Sequence, residues 1–313
     1  MRGQRDTLLV VLTVLALTAA GVLLAAQDQP LRDKQLYRSG VEVISIAATV
    51  VDGDGRLVTG LPREAFEVSE DGERETITQF TRERVPVSLG VLIDVSDSMY
   101  GQRIRDARAA VDRFLFNLLD PADEFFILAF NHEPHILTGW TSAPDVVRPA
   151  LDSLRPSGGT AIYDAILKAL PVVENRSRQR AALLVISDGA DTASDAAPRD
   201  VRAALLRSDA FVYAIAIDSP GSQPINTRVN PQTLNEITGG SGGRTEIVRN
   251  TADLVAATGR IAEEINSQYV LGYSSSRSQD SQFHSIRVRV QGSGYRVRAR
   301  NGYVAGSRTT QVK

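Results

Sequence analysis

Four short apolar runs set the strongest limit on how this chain can fold: Ser88–Val95, Phe125–Phe130, Ala181–Ser187 and Phe211–Ile217. They are rich in β-branched and aliphatic residues and do not alternate cleanly with polar ones. That is the pattern of strands buried on both faces, as in a parallel sheet covered by helices. Ile104–Leu115, Ile162–Val173, Val201–Leu206 and Leu254–Ile265 space their apolar residues at helical intervals. A weaker strand is expected at His135–Gly139. Strand–helix alternation with short links predicts an α/β fold, a doubly wound and mainly parallel sheet with helices on both faces.

The flanks have a different texture. Val41–Val51, Phe66–Glu70 and Glu75–Phe80 read as strands separated by the turn signals Asp52-Gly-Asp-Gly55 and Asp71-Gly72. After the last helix, Gln268–Tyr273, Ser285–Val290 and Tyr295–Arg300 read as strands again. Each flank is too small for a core of its own. They are expected to pack together as one small antiparallel β domain with the α/β unit inserted between them. The expected boundaries are 40–85 and 269–304 for the β segments, 86–268 for the insert, and 305–313 for a tail.

The chain has 313 residues, 42% of them hydrophobic, which is enough to bury a substantial core. Its net charge is −2, and the arginines alternating along Ser285–Val290 and Tyr295–Arg300 read as a solvated strand face, with no nucleic-acid surface expected. Cysteine is absent, which excludes disulfides, thiolate catalysis and zinc–thiolate sites. Arg2 and Arg5 precede an uncharged stretch from Thr7 to Ala26, the layout of an export signal. The stretch is close to the ~20 residues a spanning helix needs. A cut after Ala26 would put Leu24 where a small residue is preferred. Residues 1–26 are therefore a cleaved signal or a retained membrane anchor, and 27–39 a linker. Either way the folded part is expected outside the cytoplasm: periplasmic, secreted or anchored on the outer side.

The chemistry concentrates in three places. Asp94-Val-Ser96-Asp97-Ser98 ends the first apolar run, Ser157-Gly-Gly-Thr160 precedes a helix, and Asp188 ends a later run. Together they offer two carboxylates and three hydroxyls, an all-oxygen set suited to a hard divalent cation. In an open α/β sheet such groups can meet at the carboxyl ends of strands, near a topological switch point. Helix capping by Ser98 or Asp97, and by Thr160, would explain each motif singly but not their coincidence. Asp97, Asp164 and Asp191 read as first-turn or loop charges.

The order Asp-x-Ser-x-Ser, then Thr, then Asp resembles the metal-ion-dependent adhesion site of von Willebrand factor type A domains. The flanking Leu92–Met99, Gly158–Asp164 and Ser187-Asp-Gly189 also fit. Phe66-x-Val68-x-Glu70-Asp71-Gly72 and Arg300-Asn-Gly-Tyr303 resemble a bacterial family of exported proteins related to that domain. The resemblance implies a metal set of Asp94, Ser96, Ser98, Thr160 and Asp188. Ser96 and Ser98 would ligate directly, Thr160 directly or through water, and the two aspartates partly through water. The ion implied is Mg²⁺, with Mn²⁺ or Ca²⁺ as alternatives. Few direct carboxylates leave the ion able to accept an acidic residue of a protein partner. The implied function is an exported, metal-dependent adhesion-type binding module without enzymatic activity. The alternative is a structural or assembly component of a cell-envelope complex, with a purely structural metal.

Other motifs carry less. Ser96 stands where haloacid-dehalogenase-type enzymes place their second Asp. Gly239-Gly-Ser241-Gly-Gly243 satisfies Gly-x-Ser-x-Gly but follows a helix and precedes a strand, the reverse of a nucleophile elbow. His132 and His135 fall in a turn after Phe130. Asp52-Gly-Asp-Gly55 would need Glu, not Arg63, to complete a calcium loop.

Overall fold

A computed structural model describes residues 42–188, 191–218, 231–277 and 280–306. The export or anchor segment, the linker and most of the tail lie outside the described residues. Among the described residues, no helix is long and apolar enough to cross a membrane. The chain opens with β1 (Glu42–Val51), β2 (Phe66–Glu70), β3 (Glu73–Glu75) and β4 (Ile77–Thr81). Then come β5 (Val87–Asp94), α1 (Gln102–Arg113), β6 (Glu124–Phe130), β7 (Pro134–Thr141), α2 (Arg148–Ser153) and α3 (Ile162–Glu174). Next follow β8 (Arg180–Ser187), α4 (Pro198–Arg207), β9 (Phe211–Ile217), α5 (Pro231–Ser241), β10 (Thr245–Val248) and α6 (Thr251–Asn266). The last strands are β11 (Tyr269–Ser275), β12 (Phe283–Val290), β13 (Arg296–Arg298) and β14 (Gly302–Val304).

The central sheet runs β10-β9-β8-β5-β6-β7, parallel except for antiparallel β7. Every residue of β5, β6, β8 and β9 is buried, which is why these strands show no polar alternation. Leu89, Val91 and Ile93 face α1, α2 and α6, whereas Leu92, Phe126 and Leu183 face α3, α4 and α5. The sheet is thus wound on both faces. At Gly90 a Cβ would lie 2.5 Å from the Phe126 ring, so the missing side chain is what lets that ring cross β5.

The two flanks pair as antiparallel sheets, ordered β13-β1-β11-β4 and β14-β12-β2-β3. β1 aligns with β11 (Ile46 opposite Leu271), and β2 with β12 (Val68 opposite Val288). They share one core of Ile44, Ile46, Val50, Phe66, Val68, Tyr269, Leu271 and Tyr273. The α/β unit is therefore inserted between segments of a small antiparallel β domain. Several local readings needed correction. Glu75–Phe80 is not one strand: β3 pairs with β2 and β4 with β11, the chain changing sheet between them. The helix expected to reach Leu115 ends at Arg113 and widens into a π turn, Phe114–Leu118. Tyr295–Arg300 contracts to the three residues of β13.

A buried polar network joins the β domain to the insert. Glu264, near the end of α6, is 1% exposed. It pairs with Arg244 at 2.8 Å and Arg298 at 2.5 Å and accepts from Thr49 Oγ1 and Tyr213 Oη. Burial, then the Glu264 charge, push the Tyr213 pKa well up, so the phenol stays a donor. Gln268 donates to Thr49 Oγ1 and Tyr213 Oη. Replacing Glu264 by Gln takes the counter-charge from Arg298 and leaves Arg244 with Glu246 alone. Both keep some water contact, so we expect a loss of about 2–3 kcal/mol in chemical denaturation. An unchanged midpoint would show that the network contributes nothing net.

In the β domain His284 is buried between two carboxylates, Asp71 at 2.7 Å and Asp280 at 3.0 Å. Burial opposes the imidazolium, but hydrogen bonds to Asp71 and Asp280 outweigh it and raise the pKa above 6.5. The His284 hydrogen bond, foremost, holds Asp71 down to about 2 from 3.8. The raised histidine stabilises fully below 6.5 and loses its effect as pH rises through its folded pKa. The depressed carboxyl stabilises above 3.8 and loses its effect as pH falls toward 2. The melting-temperature gap between wild type and His284→Gln should therefore peak between pH 3.8 and 6.5 and narrow as the pH rises through the raised histidine pKa. A gap independent of pH would exclude the charged clamp.

Candidate metal centre

β5 and β8 are parallel neighbours, with Ile93 opposite Ile186. Connections from β5 to β6 and from β8 to β9 lead away on opposite sides, so this pair is the switch point of the sheet. Asp94 and Ser187 leave it side by side, and Ser187 Oγ donates to Asp94 Oδ2 at 2.5 Å. Asp94 Oδ1 accepts from the Ser96 backbone at 2.8 Å, turning the chain just past the strand. A single 3₁₀ turn, Asp97–Met99, then places Ser98 beside Ser96, their hydroxyls 3.0 Å apart. Ser98 Oγ donates to Asp188 Oδ1 at 2.6 Å.

The glycine loop is tied to this turn by its backbone. Ser157 N donates to Val95 O at 2.8 Å, and Asp97 N to Gly158 O at 2.9 Å. Gly158 has φ +77°, and a Cβ there would lie 2.6 Å from His132 Nδ1. Thr160 is buried; its amide donates to Thr192 Oγ1, and its carbonyl accepts from the amides of Thr192 and Ala193. Thr160 is thereby locked between the glycine loop and the segment after β8. Its hydroxyl makes no hydrogen bond to another described residue.

Asp94 is fully buried and Asp188 nearly so. Burial pushes Asp94 up to about 6, against hydrogen bonds from Ser187 and Ser96. Burial also raises Asp188, against Ser98 and Arg103. Arg103 Nη1 lies 2.8 Å from Asp188 Oδ2 and donates to the Ser98 carbonyl at 2.7 Å. Two desolvated carboxylates, faced by hydroxyls, form an environment that a cation stabilises.

Capping does not account for the motifs. No side-chain cap bond is made by Ser96 at the 3₁₀ turn, by Gly101 at α1 or by Ala161 at α3. The Ser98 hydroxyl is spent on Asp188. By contrast, Asp191 and Asp164 have structural work. Tyr163 N donates to Asp191 and Ser194, while the amides of Asp195 and Ala196 donate to Asp164. Asp97 is exposed. Ser241 ends α5, which runs through Gly239 and Gly240; its hydroxyl donates to Thr238 O and accepts from Val212 N, so it is no nucleophile. His132 and His135 are exposed, and among the described residues no cluster of three His, Asp or Glu side chains is poised for metal.

The hydroxyl pair fits a hexacoordinate ion. Ligands at 2.0–2.1 Å in an octahedron stand about 3 Å apart, the separation of Ser96 Oγ and Ser98 Oγ, 3.0 Å. Both oxygens of Asp94 already accept protein hydrogen bonds, which favours contact through water. Ser187 and Arg103 are the contributors that sequence reasoning did not single out. Ser187 immediately precedes Asp188 at a strand end, a visible signal, whereas nothing marks Arg103 among the arginines of α1.

Comparison with known proteins agrees with the α/β fold. Residues 89–190 match the von Willebrand factor type A domain family. The chain carries a von Willebrand factor type A domain. Among curated proteins it is similar to inter-alpha-trypsin inhibitor heavy chain H4 of Bos taurus, 25% identical over 130 residues. The mouse heavy chain H2 is 27% identical over 124 residues. These matches cover 38% and 36% of this chain but only 14% and 13% of the relatives' length. A von Willebrand factor type A structure from Catenulispora acidiphila superposes with TM-score 0.51 at 12% identity, covering 86% of this chain and 75% of that one. Proximal thread matrix protein 1 of the mussel byssus, with a zinc-occupied MIDAS motif, gives TM-score 0.51 at 15% identity, covering 63% and 49%. Domains of this type generally serve as protein-interaction modules.

The Gly158 backbone ties the glycine loop to the Asp97 turn. Gly158→Ala should cost about 1–2 kcal/mol from its left-handed φ alone, read as a lower denaturation midpoint. An unchanged midpoint would mean that the loop relaxes freely.

Proposed function

We propose that this protein is an exported, divalent-metal-dependent binding module of the adhesion type, with residues 86–268 as its binding domain. The observation that carries the reading is the Ser98 hydroxyl. It turns from any helix end to Asp188, beside Ser96, at the switch point of the sheet. In this reading Ser96 and Ser98 ligate directly, Thr160 directly or through water, and Asp94 and Asp188 mainly through water. Mg²⁺ is the expected ion, and an acidic residue of a protein partner completes its shell. The charged start, Arg2 and Arg5, ahead of Thr7–Ala26 supports export with cleavage or anchoring at that segment. No catalytic role is assigned: among the described residues, the Asp94 and Asp188 carboxylates are engaged by Ser187, Ser96, Ser98 and Arg103. The layout of flanking strands supports a place among the bacterial exported relatives of this domain.

Calorimetric titration of the full chain with Mg²⁺, beside Asp94→Ala, tests the reading. Saturable binding that disappears in the variant is expected, together with partner capture that EDTA reverses. Capture unaffected by EDTA would overturn it.

A further inference from the structure

Arg103 is the second residue of α1, and its guanidinium reaches back over the Asp97–Met99 turn to the Ser98 carbonyl and to Asp188. The Asp188 side chain is 1% exposed and that of Arg103 18%. The contact to Oδ2 is an ion pair at 2.8 Å without hydrogen-bond alignment, so charge matters there more than direction. The other carboxyl oxygen, Oδ1, faces Ser98 and the centre. Asp188 thus lies between an internal cation on one side and the proposed ion position on the other.

Building on the metal-binding reading above, we propose that Arg103 is a built-in counter-ion that makes metal retention depend on the partner's carboxylate. The charge balance gives the mechanism. Asp94 and Asp188 alone would cancel a divalent ion, leaving little pull on a further anion. With Arg103 present, the same ion leaves a surplus positive charge at the centre. That surplus weakens the hold on the ion and is neutralised when a carboxylate arrives. Ion and acidic partner therefore bind with positive coupling. Arg103 also gives the buried Asp188 a partner in the absence of any ion, which keeps the empty protein folded.

The test is Mg²⁺ calorimetry on the full chain, with and without acetate as a soluble carboxylate. The proteins are wild type, Arg103→Gln, Arg103→Lys and Asp94→Ala. Arg103→Gln should bind Mg²⁺ at least about tenfold tighter, because a positive charge a few ångströms away has gone. Acetate should tighten Mg²⁺ in wild type and Arg103→Lys but no longer in Arg103→Gln. Melting curves in EDTA check folding, and Arg103→Met, which covers the same surface without charge, is the second neutral variant. Equal or weaker Mg²⁺ binding in both neutral variants, with Asp94→Ala inactive, would overturn the counter-ion role while leaving the metal site standing. Absence of binding in all five proteins, wild type included, would remove the metal reading and this inference with it.

Discussion

The parallel register between β5 and β8 is the constraint on which the rest of the structure depends. Ile93 lies opposite Ile186, so the two strands end level and their next residues, Asp94 and Ser187, touch. Asp188 then follows within reach of Ser98. A slip of one residue would reverse every side chain between the two faces and separate the carboxylates. The slip is opposed by both cores at once, because β5 is buried on both sides. Apolar packing sets the site's geometry, and the polar groups inherit it.

This explains what was legible beforehand. Long buried strands such as Phe211–Ile217 declare themselves, since a strand covered on both faces has no choice but to be apolar. The order of Asp94, Ser96, Ser98, Thr160 and Asp188 could be read as a candidate pattern, because its members stand at strand ends and turns. Short elements were not. α2 spans six residues with Leu151 buried, too few for a helical period to register. The change of sheet between β3 and β4 has no local signal, since both are short strands at sheet edges. Arg103 was invisible for a different reason. Its role comes from reaching Asp188, a residue far away in sequence.

The Glu264 network belongs to the same class. Thr49, Tyr213, Arg244, Glu264, Gln268 and Arg298 come from five regions of the chain and meet where β1 lies against the insert. Buried polar groups must find partners or lose stability. Here every member adds direction to a junction that apolar contacts such as Ala47 would leave free to slide. The end of α6 is consequently fixed to the β domain at the point where the chain passes into β11.

The pairing of β4 with β11 has a further meaning. Thr81, just before the insert, sits opposite Val270, just after it. The whole α/β unit therefore takes the place of a hairpin loop. Its two attachment points are as close as those of a tight turn. Close attachment points let a unit be inserted there without spreading the strands of the host sheet. The small β domain is in this sense a socket, and a lineage could refit it with a different head while keeping its footing.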